Sequence, residues 1–350
     1  MVKIIFATIL ILFPLGQLTK INGVNLIDVA VGLLAVITIL KRPKYPEWFK
    51  YFLYFILFCV FGLLVNYALF SIPSALYLVR LLAYSFVAVY VFNYVKDKTA
   101  ISHWLLAIST ASAALGWAQY LLLPDTRFIF NYGWDDHLYR MIGTFFDPTY
   151  LALIILLGII VAIYTKSNKV FWFLLISLAF TYSRATYLAL GLLLLYKKKF
   201  VAIVVFAIVV MLLPKMLSEG TDFGRVVSGN NKLNNYIETT QIFLKSPVLG
   251  IGFNNLCSAK VKYLNVTNTE SHACSGSDSS ILFLLATTGI VGLIFFINFV
   301  SKMPKSQLLV TSAVVVLIHS IFANSLFYPH IMFWLFALVG LKAEVNNKRS

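Results

Sequence analysis

Three arginines and one histidine are the residues whose types and positions could do chemistry: Arg140, Arg184, Arg225 and His272. Arginine keeps its charge at physiological pH, and its planar fork matches phosphate oxygens. Arg184 lies in TYSRATYLA, deep in an apolar run, and an ionisable residue at membrane depth points to function. For Arg140, which opens RMIGTFFDPTYLA, and Arg225, beside Gly224, a side chain that snorkels to a membrane interface is an equal alternative.

His272 is the candidate proton acceptor. An imidazole titrates near neutral pH, which suits a general base. His272 lies shortly before an apolar run that follows Asp278, so we expect its side chain to lie just outside the membrane, close to its surface. His330 lies near the same face and is a second candidate. Arg80 lies inside an apolar run, where a structural pair and a substrate contact are equally open.

The cysteines and loop carboxylates do not indicate a metal site. Cys257 and Cys274 fall in one polar segment and could form a disulfide in an oxidising compartment, whereas Cys59 lies in an apolar run and is interpreted as packing. Their spacing is not that of metal ligands. The paired aspartates Asp135 and Asp136 are interpreted as solvated loop residues. We therefore expect no metal and no cofactor.

The surrounding sequence is strongly apolar. Of the 350 residues, 60% are hydrophobic and 12% are charged, and the mean hydropathy is +0.87. This composition is typical of a polytopic membrane protein, and backbone groups in lipid must bond within their own segment, so we expect an all-α transmembrane bundle. The net charge of +15 does not indicate nucleic acid, because the basic residues form short clusters between apolar runs, as cytoplasmic anchors do. Membrane lipids are the expected surroundings.

Twelve apolar runs predict about twelve spans with both termini inside. Ten of them are residues 4–18, 24–40, 48–70, 74–95, 101–123, 148–164, 200–217, 279–300, 307–327 and 331–341. The other two lie between Lys169 and Lys197. A single helix there would place its flanking basic clusters on opposite faces, so we predict a hairpin that breaks at Tyr182-Ser183-Arg184. Arg184 then lies at or near the outer face.

We predict one integral membrane domain over residues 1–350, with a smaller external loop at 124–147 and the main external loop at 218–277. Within the main loop, residues 232–245 place apolar side chains on one face of a helix, which predicts an amphipathic helix that lies on the bilayer or caps the bundle. The sequence SPVLGIGFNN that follows lacks the Gly-Lys-Ser/Thr of a P-loop, so its glycines predict a tight turn.

Four motifs together resemble the O-antigen ligase family, which shares its core with many O-antigen and capsule polymerases. In chain order they are RMIGTFFDPTYLA, then TYSRATYLAL, then GRVV with the following helix and SPVLGIGFNN, and then HACSGSDSSILFLLATTGIVGLIFF. They cover roughly residues 140–300. Each motif alone is weak, but their order, spacing and shared placement at the outer face make the set fairly specific.

The resemblance implies a metal-independent glycosyltransferase of the bacterial cytoplasmic membrane, with its active site on the periplasmic face. The donor would be a glycan carried on undecaprenyl diphosphate. Arg184 and Arg225, with Arg140, would bind the diphosphate, and His272 would take the proton from the acceptor hydroxyl. The acceptor is lipid A-core in a ligase and another lipid-linked glycan in a polymerase, and the sequence leaves both open.

A transporter of lipid-linked glycans is the alternative of a different class. A transporter would need a polar path through the bundle, with acids or cations distributed over both leaflets. Here the polar candidates cluster at one face, which favours the enzyme.

Overall fold

The computed structural model of the chain describes residues 2–21, 23–132, 134–135, 137–214, 221, 226–269 and 272–341. Within these ranges the fold is almost entirely helical. The α-helices are α1 Val2–Leu12, α2 Leu26–Leu40, α3 Glu47–Val65, α4 Ile72–Tyr94, α5 Thr99–Leu122, α6 Pro148–Tyr164, α7 Asn168–Ala179, α8 Arg184–Tyr196, α9 Phe200–Leu212, α10 Val226–Lys245, α11 Leu256–Leu264, α12 His272–Ser275, α13 Ser280–Ser301, α14 Gln307–His319 and α15 Pro329–Val339.

Short 3-10 helices and one small strand pair complete the described elements. The 3-10 helices are Phe13–Thr19, Tyr67–Leu69, Arg127–Tyr132 and Gly143–Phe145. The strands β1 Lys20–Ile21 and β2 Val24–Asn25 pair antiparallel, with Lys20 opposite Asn25.

All twelve predicted apolar runs contain a helix, which confirms the helical class. In the described part of the chain, four helices are long and apolar enough to cross a membrane by length and composition: α3, α4, α5 and α13. The other eight apolar helices are shorter. The count of about twelve spans therefore stays a prediction.

Two runs differ from their expected form. Helix α14 ends at His319, well before the end of the predicted run 307–327. Helix α13 is broken at Gly289, where φ is 65° and ψ is −173°. By contrast, the break predicted between the two short runs is confirmed, because α7 ends at Ala179 and α8 begins at Arg184. Tyr182, with φ of 51°, lies in the turn between them.

The contacts divide the chain into two compact units. The first takes in Met1–Leu33, Lys96–Val226 and Gln307–His319. Its central helix is α6, which packs against α5, α7, α8 and α14 and buries 13 of its 17 residues. The start of α6 is set by Asp147, whose carboxylate accepts the N–H of Thr149 at 2.6 Å, and by Pro148 in the first turn.

The second unit takes in Leu34–Val95, Val227–Ser306 and Ser320–Ser350. Here α3 packs along α13, and α4 packs along α15. Aromatic rings fill the contact between these helices: the ring of Phe52 lies 5.0 Å from that of Phe299 and 5.9 Å from that of Phe336.

Candidate functional site

Arg140 lies in the first unit, with its guanidinium buried beside the turn between α7 and α8. Its Nε donates to the carbonyl oxygen of Thr181 at 3.0 Å, and its Nη2 donates to that of Tyr182 at 3.4 Å. The residue is only 6% exposed, so these charge-assisted bonds are shielded from water. Because Ser183 and Arg184 follow directly, Arg140 fixes the backbone that carries Arg184.

Gln119 of α5 holds the start of the segment that follows Arg140. Its Oε1 accepts the N–H of Ile142 at 2.9 Å and that of Gly143 at 3.1 Å. The N–H of Met141 donates to a carbonyl oxygen of the α7–α8 turn at 2.9 Å. These bonds attach one segment both to α5 and to the turn, and thereby fix the direction of the chain as it enters α6.

Arg184 is the first residue of α8 and is exposed. The hydroxyl of Ser183 lies 2.8 Å from that of Thr186, and the phenol of Tyr182 donates to the carbonyl oxygen of Pro214 at 2.7 Å. The turn is therefore stabilised by hydrogen bonds within it, by the bond to Pro214 and by the bonds from Arg140. The positive end of the helix dipole adds to the charge of Arg184, so this position attracts anions.

Helix α10, in the second unit, anchors the segment that leads into α13. Asn235 is 4% exposed; its Nδ2 donates to the carbonyl oxygen of Gly276 at 3.3 Å, and its Oδ1 accepts the N–H of Asp278 at 2.8 Å. The phenol of Tyr236 donates to the carbonyl oxygen of Ile321 at 2.8 Å. The pKa of this phenol is raised, mainly by burial and to a lesser extent by the charge of Asp278. The phenol therefore stays protonated and can donate a hydrogen bond.

A disulfide joins Cys257 of α11 to Cys274 of α12, with the Cα atoms 4.6 Å apart. One turn along α11, the fully buried ammonium of Lys260 lies 3.0 Å from a carboxylate oxygen of Glu238 in α10. A buried charge is costly unless it is paired, so this ion pair ties α11 to α10. The short helix α12, which begins at His272, is thus linked through α11 to α10.

Two of the predicted site residues are described incompletely or not at all. Arg225 lies outside the described residues. For His272 the description covers the backbone, as the first residue of α12, and not the side chain. The disulfide reaches the backbone two residues after His272, and the amide of Asn235 reaches it four residues after. The C-terminal end of α12 and the residue after it are therefore held by a covalent bond and by a part-buried hydrogen bond.

The loop SPVLGIGFNN runs beside the break in α13 at Gly289. The N–H of Ile290 donates to the carbonyl oxygen of Pro247 at 2.9 Å, and the N–H of Ile251 donates to that of Ala286 at 3.1 Å. In an unbroken helix the N–H of Ile290 would bond to Ala286 itself. The loop supplies a new partner to each of the two groups that the break separates.

Arg80 lines a small pocket of the second unit, close to the first turns of α4, α13 and α15. Its guanidinium lies over the ring of Tyr77, 4.6 Å from the centroid. The pocket encloses about 40 Å³. Three phenylalanines and two asparagines form much of its wall: Phe253, Phe283, Phe327, Asn254 and Asn324.

His330 begins α15 with Pro329 and is only 1% exposed. Its ring stacks on that of Tyr328, with 5.2 Å between centroids. Met332, two residues further along α15, lines the Arg80 pocket. A site role for His330 stays a prediction.

Residues 141–297 match the family model described as O-antigen ligase. The chain contains a domain of the O-antigen ligase family. This confirms the resemblance carried by the four motifs, and it supports a membrane enzyme of the O-antigen ligase and polymerase type. No curated protein matches the chain in a sequence search.

The O-antigen ligase domain includes Arg184, α10, the SPVLGIGFNN loop and His272. Sequence reasoning did not single out two residues that organise it, Asn235 and Lys260. Nor did it single out Gln119, which precedes the matched segment. A glutamine in the apolar sequence WAQYLL was a usable signal, because a buried amide needs hydrogen-bond partners. Asn235 and Lys260 carried no such signal, since each lies in polar sequence.

The described residues contain no group of three or more His, Cys, Asp or Glu side chains that could hold a metal ion. Asp135 is exposed, and Asp136 lies outside the described residues. Independence from metal ions stays a prediction for this O-antigen ligase domain.

Proposed function

We propose that the protein transfers a glycan from undecaprenyl diphosphate to an acceptor hydroxyl at the periplasmic face of the bacterial cytoplasmic membrane. The observation that carries the proposal is the family match over residues 141–297. That stretch holds the exposed Arg184, the α10 helix, the loop that fills the break in α13, and His272.

The donor diphosphate binds at Arg184 and Arg225. The exposed guanidinium at the start of α8 supports the first assignment, because charge and helix dipole act there in the same direction. The second assignment rests on the sequence motif alone. Neutralising the diphosphate makes it a better leaving group as its charge develops in the transition state.

Arg140 acts in this proposal by positioning Arg184. Its buried bonds to the carbonyl oxygens of Thr181 and Tyr182 support that role. The diphosphate contact predicted for Arg140 from its sequence motif would be an additional one.

His272 is the general base. The acceptor hydroxyl oxygen forms a bond to the anomeric carbon, the bond from that carbon to the diphosphate oxygen breaks, and the hydroxyl proton passes to the imidazole. Undecaprenyl diphosphate leaves with the bonding electrons. The disulfide at Cys274 and the hydrogen bonds from Asn235 to the backbone that follows support this role, because they restrain the segment that carries His272.

The glycolipids of a bacterial strain that lacks the gene test the function and separate its two forms. Loss of long glycan chains, with single repeat units left on the lipid carrier, identifies a polymerase. Free, full-length glycan on the lipid carrier identifies a ligase. Unchanged glycolipids in that strain would contradict the proposal. Transfer by the purified protein, with and without a chelator, then tests independence from metal ions.

A further inference from the structure

Helix α10 and the first half of α13 run in the same direction over matching levels. Near the start of both, the side chain of Asn235 bonds to the backbone of Gly276 and Asp278. Further along, the carbonyl oxygen of Pro247, two residues after α10, accepts the N–H of Ile290 at 2.9 Å. Asn235 and Pro247 are separated by twelve residues, as are Asp278 and Ile290, and twelve helical residues span about 18 Å. The end of α10 therefore lies at the level of the break in α13.

The apolar sequence of α13 gives the depth of these levels. The helix is long and apolar enough to cross a membrane, and Ile290 is close to the middle of its predicted apolar run, residues 279–300. Ten residues separate Ile290 from Ser280 at the start of α13, about 15 Å of helix, which is half of a hydrocarbon core about 30 Å thick. Where α13 crosses a bilayer, the end of α10 lies near its middle, and Asn235 lies near its outer surface.

The SPVLGIGFNN loop that follows α10 leads back to the outer surface. The carbonyl oxygen of Gly250 accepts the amide of Asn66, which follows α3, at 3.3 Å. Four residues later, the carbonyl oxygen of Asn254 accepts the hydroxyl of Ser74 at 3.1 Å, in the first turn of α4. Helix α4 is also long and apolar enough to cross a membrane, and its predicted direction is inward, so Ser74 lies near the outer surface. Helix α10 and this loop thus enter and leave from the same side.

Polar groups of the loop backbone are bonded within the protein, as a segment at membrane depth requires. The N–H of Gly250 donates to the carbonyl oxygen of Ser246 at 2.9 Å, and the hydroxyl of Ser246 donates to the carbonyl oxygen of Gly250 at 2.9 Å. The carbonyl oxygen of Ile251 accepts the amide of Asn255 at 3.0 Å. Ile251, Phe253 and Asn255 are 2% exposed or less. The loop is therefore built to lie inside protein and not in water.

Helix α10 presents three faces, which follow from its helical period. The buried face consists of Asn235, Thr239 and Ile242. One exposed face, the apolar stripe, consists of Leu233, Ile237 and Leu244. The other exposed face, the polar stripe, consists of Asn230, Asn234, Gln241 and Lys245. The two stripes lie side by side, so the helix meets two different surroundings along its length.

The two stripes need different partners at the same depth. In the apolar stripe, Ile237 is 48% exposed and Leu244 is 66% exposed. At comparable levels, Leu76 of α4 is 59% exposed and Ile281 of α13 is 40% exposed, so all three helices present apolar surface there, as lipid requires. The amides and the ammonium of the polar stripe would be costly in hydrocarbon, so water must reach them.

We propose that α10 is a re-entrant membrane helix. Its apolar stripe contacts the acyl chains of lipids in the outer leaflet. Its polar stripe lines a water-filled cleft that reaches from the outer surface to the level of the break in α13. This placement differs from the two that the sequence suggested, on the bilayer surface or as a cap on the bundle. It concerns the surroundings of α10 and not the reaction, so it goes beyond the proposed function.

The test is power-saturation EPR on the full chain in lipid nanodiscs, with a nitroxide label on single introduced cysteines. The label reports collisions with oxygen, which concentrates in hydrocarbon, and with a neutral nickel chelate, which stays in water. Two exposed residues of each stripe, seven positions apart, are replaced: Ile237 and Leu244 in the apolar stripe, and Asn234 and Gln241 in the polar stripe. Cys59 is buried and the other two cysteines are joined, so the labels should attach at the introduced sites.

We expect the label at Leu244→Cys to collide with the nickel chelate at least about tenfold less often than the label at Gln241→Cys, because polar solutes are excluded from hydrocarbon. The ratio of oxygen to nickel collisions should also be higher at Leu244→Cys than at Ile237→Cys, since Leu244 lies deeper. Ile294→Cys, in α13 and 60% exposed, is the control for lipid. Lys262→Cys, exposed on α11, is the control for water.

Equal ratios at Ile237→Cys and Leu244→Cys would indicate a helix parallel to the surface and would overturn the proposal. Nickel collisions at Leu244→Cys as frequent as at Lys262→Cys would also overturn it, because α10 would then lie in water. Lipid-like values at Gln241→Cys would remove the cleft. Thermal midpoints show whether each labelled variant is folded. Val248→Cys, which is 58% exposed and bonded to the backbone of Val291, takes the place of Leu244→Cys if that variant does not fold.

Discussion

Gly250 and Gly289 meet where the SPVLGIGFNN loop enters the break in α13. A Cβ at Gly289 would lie 2.2 Å from the carbonyl oxygen of Val248 and 2.7 Å from the amide nitrogen of Gly250. A Cβ at Gly250 would lie 2.5 Å from the backbone of Thr287. Both glycines have positive φ, 71° and 65°, so side chains are excluded by conformation as well as by space. The tight turn predicted for the loop is confirmed. It allows the loop backbone to pack directly against the backbone of α13 at its break.

Gly289→Ala should destabilise the protein severely, by about 3 kcal/mol or more, because the added methyl meets backbone atoms that cannot turn aside. The measurement is the thermal midpoint of the purified protein in nanodiscs. Gly191→Ala is the matched control, since a Cβ there meets nothing within 4 Å. It lies within α8, so its replacement should be neutral or stabilise by about 0.5 to 1 kcal/mol. Equal midpoints for the two variants would contradict the interlocked arrangement.

Arg140→Lys should lower stability more than Arg184→Lys. In Arg140 two separate nitrogens, Nε and Nη2, donate to Thr181 and Tyr182, whereas a lysine carries all its donors on one terminal nitrogen and cannot occupy both positions. The loss of one buried charge-assisted bond costs about 1.5 to 3 kcal/mol. Arg184 is exposed, so its replacement should change stability by no more than about 0.5 kcal/mol. The thermal midpoints of both variants, compared with the unaltered protein, decide this. A larger loss of stability in Arg184→Lys than in Arg140→Lys would contradict the positioning role of Arg140.

The disulfide between Cys257 and Cys274 predicts a defined thiol count. Of the three cysteines in the chain, only the buried Cys59 should react with a maleimide in denatured, unreduced protein, and all three should react after reduction. Closing a loop with a sequence separation of 17 residues should add about 3 kcal/mol of stability. Cys274→Ser should therefore lower the thermal midpoint, and reductant should then have no further effect. Three reactive thiols before reduction would refute the bond.

Local pattern and charge predicted much of the fold. The hairpin break at Tyr182-Ser183-Arg184 followed from the basic clusters on either side, because the positive-inside rule predicts both clusters on one face of the membrane. The break at Gly289 could not be found in this way. A glycine inside an apolar run is ordinarily tolerated in a helix, and the hydrogen bonds that stabilise this break come from a loop some 40 residues earlier.

The sequence predicted the reactive residue types of the candidate site, but not the residues that hold the surrounding backbone in place. Arginine and histidine indicate anion binding and proton transfer by their side-chain chemistry alone. Asn235 binds backbone groups 41 and 43 residues away, and no periodicity encodes that pairing. Lys260 looks like a solvated lysine in sequence and is fully buried in the fold. Long-range hydrogen bonds and ion pairs depend on tertiary contacts, which local composition does not specify.

The predicted topology places α10 outside and the α8–α9 connection inside. Asn234 in α10 and Lys198 in the connection are both exposed, so each can carry a reporter cysteine. An impermeant maleimide added to intact spheroplasts should label Asn234→Cys and leave Lys198→Cys unlabelled until the membrane is opened. Cys59 is buried, and the other two cysteines are joined, so the background should be low. Labelling of Lys198→Cys from outside would overturn the arrangement.

Arg184→Lys and His272→Ala should separate donor binding from turnover. Lysine keeps the charge and lacks the bidentate fork, so Arg184→Lys should weaken binding of the lipid-linked donor about tenfold or more and lower transfer with it. His272→Ala should leave donor binding nearly intact and reduce transfer by about 100-fold or more, because a general base acts on the acceptor. The measurements are the dissociation constant of the donor and the single-turnover rate, in the same nanodiscs. Thermal midpoints of both variants exclude unfolding as the cause. Normal turnover by His272→Ala would move the base to His330 or end the case for a histidine base.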